Sequence, residues 1–306
     1  MQKVLALVGP TAIGKSKLAV ELAGQLNAEI VSGDSMQTYR EVSIGTARPT
    51  VKEQAGIPHY LVATNSIYDS YSVKEFVDQA QAAISQIARR GKLPFLVGGT
   101  GFYVYSLLNQ LQLGEKQNYQ LHILPSWQKF LTTHGPKKLW AQLYQRDPAA
   151  ANKISWQNER RVLRALTVIQ RTGQKFSQQQ KQIPPRYDYL LLGLNSERSK
   201  IYQRINQRVD QMVKEGIIDE ARLIYQNRDR VQQLKQAIAY KEFFPYFAGT
   251  ASLDSCIREL KKNSRHYAKR QLTYFRNKMQ VEWFDPLLDP DCMDKMLKVI
   301  REWLDE

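Results

Sequence analysis

The feature that most restricts what this chain can fold into is Gly9-Pro10-Thr11-Ala12-Ile13-Gly14-Lys15-Ser16, a complete G-x-x-x-x-G-K-[ST] sequence. It stands between an apolar run, Val4 to Val8, and an amphipathic one, Lys17 to Leu26. A strand that enters a helix through such a loop lets backbone N–H groups turn inward around a phosphate. The helix N-terminus adds its dipole, Lys15 supplies a point charge, and the Ser16 hydroxyl can bind Mg2+. Further apolar runs at Glu29 to Ser32 and Leu93 to Val97, separated by the helical stretch Ser72 to Arg90, continue the alternation. Strands joined by helical crossovers predict an α/β fold, a parallel sheet flanked by helices.

Near Leu111 the alternation stops. Gln112 to Ser126 is polar and irregular, Trp127 to Tyr144 and Asn158 to Arg171 have helical period, and Gln174 to Pro185 is again mixed and polar. Tyr187 to Leu194 then reads as a strand returning to the sheet. The expected organisation is a core of residues 1–111 and 181–306 with a helical insertion domain at 112–180. Past the returning strand the chain is mainly helical. Ser196 is expected to cap a helix running through Glu215 and broken at Gly216, and a long basic helix is expected from about Leu253 to Met279.

A phosphate loop does not by itself say which phosphate compound is held, or whether it is cleaved. In nucleoside triphosphatases a later strand usually ends in an Asp that helps hold Mg2+. Here Leu93 to Val97 runs into Gly98-Gly99-Thr100-Gly101, with no carboxylate. This weighs against ATP hydrolysis and leaves open small-molecule kinases, which can place their acid elsewhere. One acid is at hand, because Asp34 in Ser32-Gly33-Asp34-Ser35-Met36-Gln37 follows the second strand. A parallel sheet puts it at the carboxyl edge beside the phosphate loop. There it can take a proton or hold a metal, and locally it also suits a helix cap.

Lys and Arg outnumber Asp and Glu by 44 to 29, a net charge of +15. That suits a polyanionic partner through counterion release, and equally a basic surface with no specific partner. The cations gather in Arg160-Arg161-Val162-Leu163-Arg164, in Arg198, Arg204 and Arg208, and in Lys269-Arg270-Gln271-Leu272-Thr273-Tyr274-Phe275-Arg276. Helical spacing puts Arg160 with Arg164, and Arg204 with Arg208, on one face each. Tyr267, Tyr274 and Phe275 interleave with the last cluster, which is open both to base stacking and to core packing. Cys256, Cys292 and the dispersed histidines form neither a disulfide framework nor a metal cluster. With no signal peptide and no apolar run of about 18 residues, a cytoplasmic protein without a membrane span is expected.

In order along the chain, Gly9 to Ser16, Asp34-Ser35-Met36-Gln37, Gly45-Thr46-Ala47-Arg48-Pro49, Gly98 to Gly101, Arg160 to Leu166, Arg198 to Met212, Ala237 to Glu242 and Tyr267 to Arg276 resemble the motifs of the tRNA dimethylallyltransferases, also called tRNA isopentenyltransferases. Ala239 stands where that family usually has Gly, Tyr274 where it commonly has Trp, and Leu111 to Ser126 lacks its acidic-proline segment.

The resemblance implies transfer of a dimethylallyl group from its diphosphate to N6 of adenosine 37, just 3′ of the anticodon, with the base flipped into the site. It implies Asp34 as general base, Thr11 and Arg204 as further catalytic residues, and the phosphate loop with Arg198 as the diphosphate cradle, aided by Mg2+ on Ser16. It also implies tRNA contacts from Asp34, Ser35, Met36, Gln37, Thr100, Arg160, Arg161, Arg164, Tyr240, Lys241, Lys269, Arg270, Gln271 and Arg276. The partners are then a tRNA anticodon stem-loop and dimethylallyl diphosphate, bound by a monomer. Competing readings are a prenyltransferase acting on free AMP, ADP or ATP, a small-molecule kinase, and a noncatalytic RNA-binding protein. The insertion and the basic C-terminal helix favour tRNA over a free nucleotide, which needs no such surface.

Overall fold

Val4, Leu5, Ala6, Leu7 and Val8 are all fully buried, so the strand they form has to be covered on both faces, the condition of a central strand in a parallel sheet. The computed structural model describes residues 1–111, 123–178 and 186–306. Most of the polar stretch expected to open the insertion, and the end of the one expected to close it, lie outside the described residues. The chain divides into two units, Met1–Asn109 with Pro185–Glu306, and Gln110–Pro184.

The first unit begins β1 (Gln2–Val8), α1 (Lys15–Gln25), β2 (Ala28–Ser32), α2 (Val51–Gln54), β3 (His59–Tyr60), α3 (Val73–Arg89), β4 (Leu93–Gly98) and α4 (Gly101–Leu108). The second unit supplies α5 (Pro125–Arg146), α6 (Pro148–Ala151) and α7 (Glu159–Thr172). The first then resumes with β5 (Tyr187–Leu194), α8 (Arg198–Glu215), α9 (Ile217–Gln226), α10 (Phe244–Phe247), α11 (Leu253–Lys278), β6 (Glu282–Phe284) and α12 (Cys292–Asp305).

Among the described residues six strands form one sheet in the order β3-β2-β4-β1-β5-β6, and every pairing between them is parallel. Leu5 of β1 faces Phe95 of β4 on one side and Leu190 of β5 on the other. Because the strands run one way, the segments that follow β1, β2 and β4 leave the sheet along one edge, where α/β folds bind their ligands. The α/β architecture read from the sequence is therefore the one observed.

Beneath that edge, Leu5 and Leu7 pack with Ala19, Leu22 and Ala23 of α1 and with Met296, Leu297 and Ile300 of α12. Each such buried Leu or Ile contributes about 1.5–3 kcal/mol. Lys3 Nζ donates to the carbonyls of Trp303 and Leu304, and Trp303 Nε1 donates to Asp188 Oδ1 at 3.1 Å, which ties the end of α12 to β1 and β5. The start of α3 is fixed by a capping box between Ser72 and Glu75. Its Phe76, Ala80, Ile84 and Ile87 are buried.

Two local expectations are corrected. Ser196 does not cap α8: it is buried, and its hydroxyl has no hydrogen-bond partner among the described residues. The reason is that Asn195 N still donates to Phe284 O at 2.9 Å, so the sheet holds the chain at this point and the helix starts only at Arg198. In the second unit, the helical run from Trp127 to Tyr144 is broken at Gly135 (φ 78°) ahead of Pro136, since proline removes the N–H that an unbroken helix would use. That unit has its own core, in which Leu139 and Leu143 of α5 meet Val162 and Leu166 of α7. Among the described residues no helix is long and apolar enough to cross a membrane.

Candidate active site

The phosphate loop joins β1 to α1, and Gly14 immediately before the helix has φ 109°, a left-handed conformation that a side chain would strain. Three side chains fasten the loop. Lys15 Nζ donates to Gly9 O at 2.9 Å and Pro10 O at 2.7 Å. Arg204 Nε donates to Ala12 O at 2.9 Å, and Thr11 N donates to Gln271 Oε1 at 2.9 Å. Lys15 keeps a path to solvent yet stands deep among protein atoms. Burial, assisted by Arg208 and opposed by Asp34, lowers its pKa to about 8. An ammonium held at this cost is one that an anion would re-stabilise.

Asp34 lies two residues beyond β2, and Met36 N donates to its Oδ1 at 2.9 Å. This is a local turn; no helix starts here, so the capping alternative falls. Burial raises the Asp34 pKa, while the Met36 and Gln37 N–H groups, Lys15 and Arg208 hold it back. The carboxyl group is therefore close enough to the loop lysine and to Arg208 for both charges to act on it. The glycines ending β4 account for the missing acid there, because a Cβ on Gly98 would collide with the Gly33 backbone. Just beyond, Thr100 Oγ1 accepts from Ser35 N at 3.1 Å and lies 3.3 Å from Ser35 Oγ. Tyr267 of α11 joins this group: burial raises its pKa, and Asp34 raises it further.

Helices α8 and α11 converge on the loop because Lys261 pairs with Asp210 at 2.6 Å and Arg265 Nη1 donates to Asn206 Oδ1 at 2.8 Å. Of the arginines on α8, Arg204 reaches the loop and Arg198 does not. Arg198 is exposed and turned onto its own helix, with Nε donating to Tyr202 Oη at 2.9 Å. Arg208 takes a place that the expected diphosphate site did not give it. Burial lowers its pKa while the Asp34 charge raises it. Its i, i+4 spacing from Arg204 was the available signal.

The residues expected to touch RNA divide into two sorts. Lys241, Lys269, Arg270 and Arg276 are exposed. Lys269 and Arg270, with His266, Thr273 and Lys278, line a cavity of about 570 Å3 along α11. Arg160, Arg161 and Arg164 are exposed on α7 of the second unit. By contrast, Tyr240 is 1% exposed and its hydroxyl donates to Glu220 Oε2 at 3.2 Å. Gln271 is 5% exposed with both ends of its amide bonded within the protein. Gln37 Nε2 donates to Ala47 O at 3.2 Å and holds the Gly45-to-Pro49 loop. That loop is also gripped by Glu220, whose carboxylate accepts from Ser43 N (2.6 Å), Ile44 N (2.9 Å) and Gly45 N (3.0 Å).

Residues 37–278 match the family model described as IPP transferase. A protein of Lactobacillus helveticus named tRNA dimethylallyltransferase is 60% identical over all of both chains. Among solved structures, the tRNA isopentenylpyrophosphate transferase of Bacillus halodurans superposes with TM-score 0.75 at 44% identity, covering 100% of this chain and 97% of that one. A eukaryotic dimethylallyltransferase, whose structure is described as acting on tRNA, superposes with TM-score 0.84 at 28% identity, covering 100% of this chain and 80% of that one. With the phosphate loop and Asp34 at one sheet edge and this likeness along the full length, the chain belongs to the IPP transferase family.

Proposed function

We propose that the protein is a tRNA dimethylallyltransferase acting on N6 of the adenosine just 3′ of the anticodon. The observation that carries the reading is that Asp34 stands at the phosphate loop within reach of the Lys15 and Arg208 charges. It sets cations for a leaving diphosphate beside a base for an attacking amine. N6 attacks the allylic carbon as the bond from that carbon to the diphosphate oxygen breaks. The electron pair of that bond leaves with the diphosphate, and the N6 proton passes to Asp34. A base is needed because the adenine lone pair is delocalised into the ring, and a raised carboxyl pKa makes a better acceptor.

Lys15, Arg208 and the N–H groups at the start of α1 face the charge that grows on the leaving oxygen, which lowers the barrier. Thr11 and Arg204 shape that cradle, Arg204 by its bond to Ala12 O. The exposed Ser16 hydroxyl is a hard oxygen donor of the kind Mg2+ takes, and a bound Mg2+ would neutralise part of the diphosphate charge. The groove of Lys269 and Arg270, with Lys241, Arg276, Ser35, Met36 and Thr100, supplies phosphate and loop contacts for a tRNA anticodon stem-loop in the cytoplasm, and the arginines of α7 in the second unit offer phosphate contacts of their own.

The test offers labelled dimethylallyl diphosphate with unmodified bulk tRNA and, separately, with AMP. Label on tRNA is expected. Label on AMP alone would make the protein an adenylate prenyltransferase, and ATP hydrolysis stimulated by tRNA would return the loop to triphosphate chemistry.

A further inference from the structure

Gln271 stands on α11 among RNA-facing cations, yet it points the other way. It is 5% exposed. Its Oε1 accepts from Thr11 N at 2.9 Å, and its Nε2 donates to Gly99 O at 2.9 Å. The two partners belong to the segments that leave the sheet after β1 and after β4. Thr11 opens the phosphate loop. Gly99 precedes Thr100, whose hydroxyl accepts from Ser35 N, the residue next to Asp34. One amide therefore links the leaving-group loop, through Gly99, Thr100 and Ser35, to the turn that carries the base. A Cβ on Gly99 would collide with Gln271 Nε2, so the close approach is built into both residues.

We propose that Gln271 is a positioning residue for the transfer, setting the span between the diphosphate loop and Asp34, and not a tRNA contact. The proposal rests on the prenyl-transfer reading. The chemistry is specific to a primary amide of this length. An amide accepts from an N–H at one end and donates to a carbonyl at the other. In Gln271→Glu the ionised carboxylate cannot donate to Gly99 O, a methionine does neither, and asparagine is one methylene short of spanning the gap. The bond at Thr11 orients the peptide at the head of the loop and leaves the N–H groups nearer α1 for the diphosphate. Around the helix, Lys269 lies about 200° from Gln271 at roughly 100° per residue. The same helix can thus present cations to RNA on one side and hold the loop with the other.

The experiment uses the full chain with Gln271→Met, Gln271→Glu and Gln271→Asn. For each, tRNA affinity is read by filter binding, inorganic pyrophosphate affinity by calorimetry, and the single-turnover transfer rate at saturating tRNA and dimethylallyl diphosphate. The expected result is tRNA affinity within about twofold of wild type and a saturated rate down about 10–100-fold, the penalty typical of misplaced reacting groups. Pyrophosphate binding should weaken in parallel, with Gln271→Glu, which keeps the Thr11 bond, least affected. The proposal is overturned if tRNA affinity falls tenfold while the saturated rate holds. It is overturned equally if only the melting temperature drops and the folded fraction turns over normally. Should Gln271→Met fail to fold, the shorter Gln271→Asn gives the same readings. If wild type labels no tRNA but pyrophosphate binding still depends on Gln271, the prenyl-transfer reading fails and the link to the loop stands.

Discussion

Raising the pH should weaken diphosphate binding, because the lysine proposed to receive the diphosphate is already close to losing its proton. Burial brings the Lys15 pKa from 10.5 to about 8. A bound diphosphate favours the ammonium and moves the pKa back up. Below pH 8 the charge is already present and affinity should be flat. Above it, binding must take up a proton, so affinity falls by the fraction of sites that have lost theirs. That is about fivefold between pH 8 and 9 and nearly tenfold per unit after that, each unit worth about 1.4 kcal/mol. The ligand's own last ionisation lies near 6 and adds nothing in this window. Calorimetric titration with dimethylallyl diphosphate, without tRNA and in buffers of different ionisation enthalpy, reads both the affinity and the proton taken up. Lys15→Arg, which keeps its charge throughout, serves as the reference. A wild-type affinity that stays level to pH 9.5, or one that falls no more than that of Lys15→Arg, would refute the reasoning.

The same lysine should cost the empty protein stability: its depressed pKa is a penalty fully present below pH 8 and relieved as pH rises from about 8 to 10.5. Lys15→Met should therefore raise the ligand-free melting temperature at pH 7 by several degrees, about 1–2 kcal/mol once the lost Nζ hydrogen bonds are subtracted, and an unchanged melt contradicts this. Asp34→Ala should lower single-turnover transfer by about 10²–10⁴-fold with tRNA affinity retained. In the wild type the rate should fall with an acid limb above the ordinary Asp range, as the raised carboxyl group protonates; a limb at the ordinary value would remove the base from Asp34. Glu220→Ala releases three backbone N–H groups of the Ser43-to-Gly45 segment and should cost about 2–3 kcal/mol in urea unfolding, where a loss of a few tenths would show that the grip is ornamental.

Much of the core was legible because its signals are local. The apolar run of β1, the loop after it and the helical stretch that begins at Ser72 each declare themselves within a few residues. The side of α8 that meets the loop was also readable in principle. Arg208 is four residues from Arg204 and shares its face, whereas Arg198 is six residues away, about 240° round the helix. What the sequence hid is pairing over distance. Gln37, Gln271 and Tyr240 are polar residues in motif segments, which reads as contact with a ligand. Their partners, at Ala47, at Thr11 and Gly99, and at Glu220, turn them inward. Ser196 misled for the same reason, since a cap is a local rule and a sheet bond at Asn195 overrode it.

The tie between β1, β5 and α12 has a consequence for how the chain is made. Synthesis runs from the first strand onward, but the partner that completes β1 on one side begins only at Tyr187. Lys3 finds its carbonyls only at Trp303 and Leu304. On the ribosome β1 is therefore made well before β5 and α12, the partners that complete its packing. A nascent chain holding Gly9 to Ser16 lacks two of the three side chains that fasten the loop, Arg204 and Gln271, until α8 and α11 have been made. Synthesis of β1 and its burial are thereby separated in time, and a strand whose Val4 to Val8 end fully buried spends that interval in need of shelter.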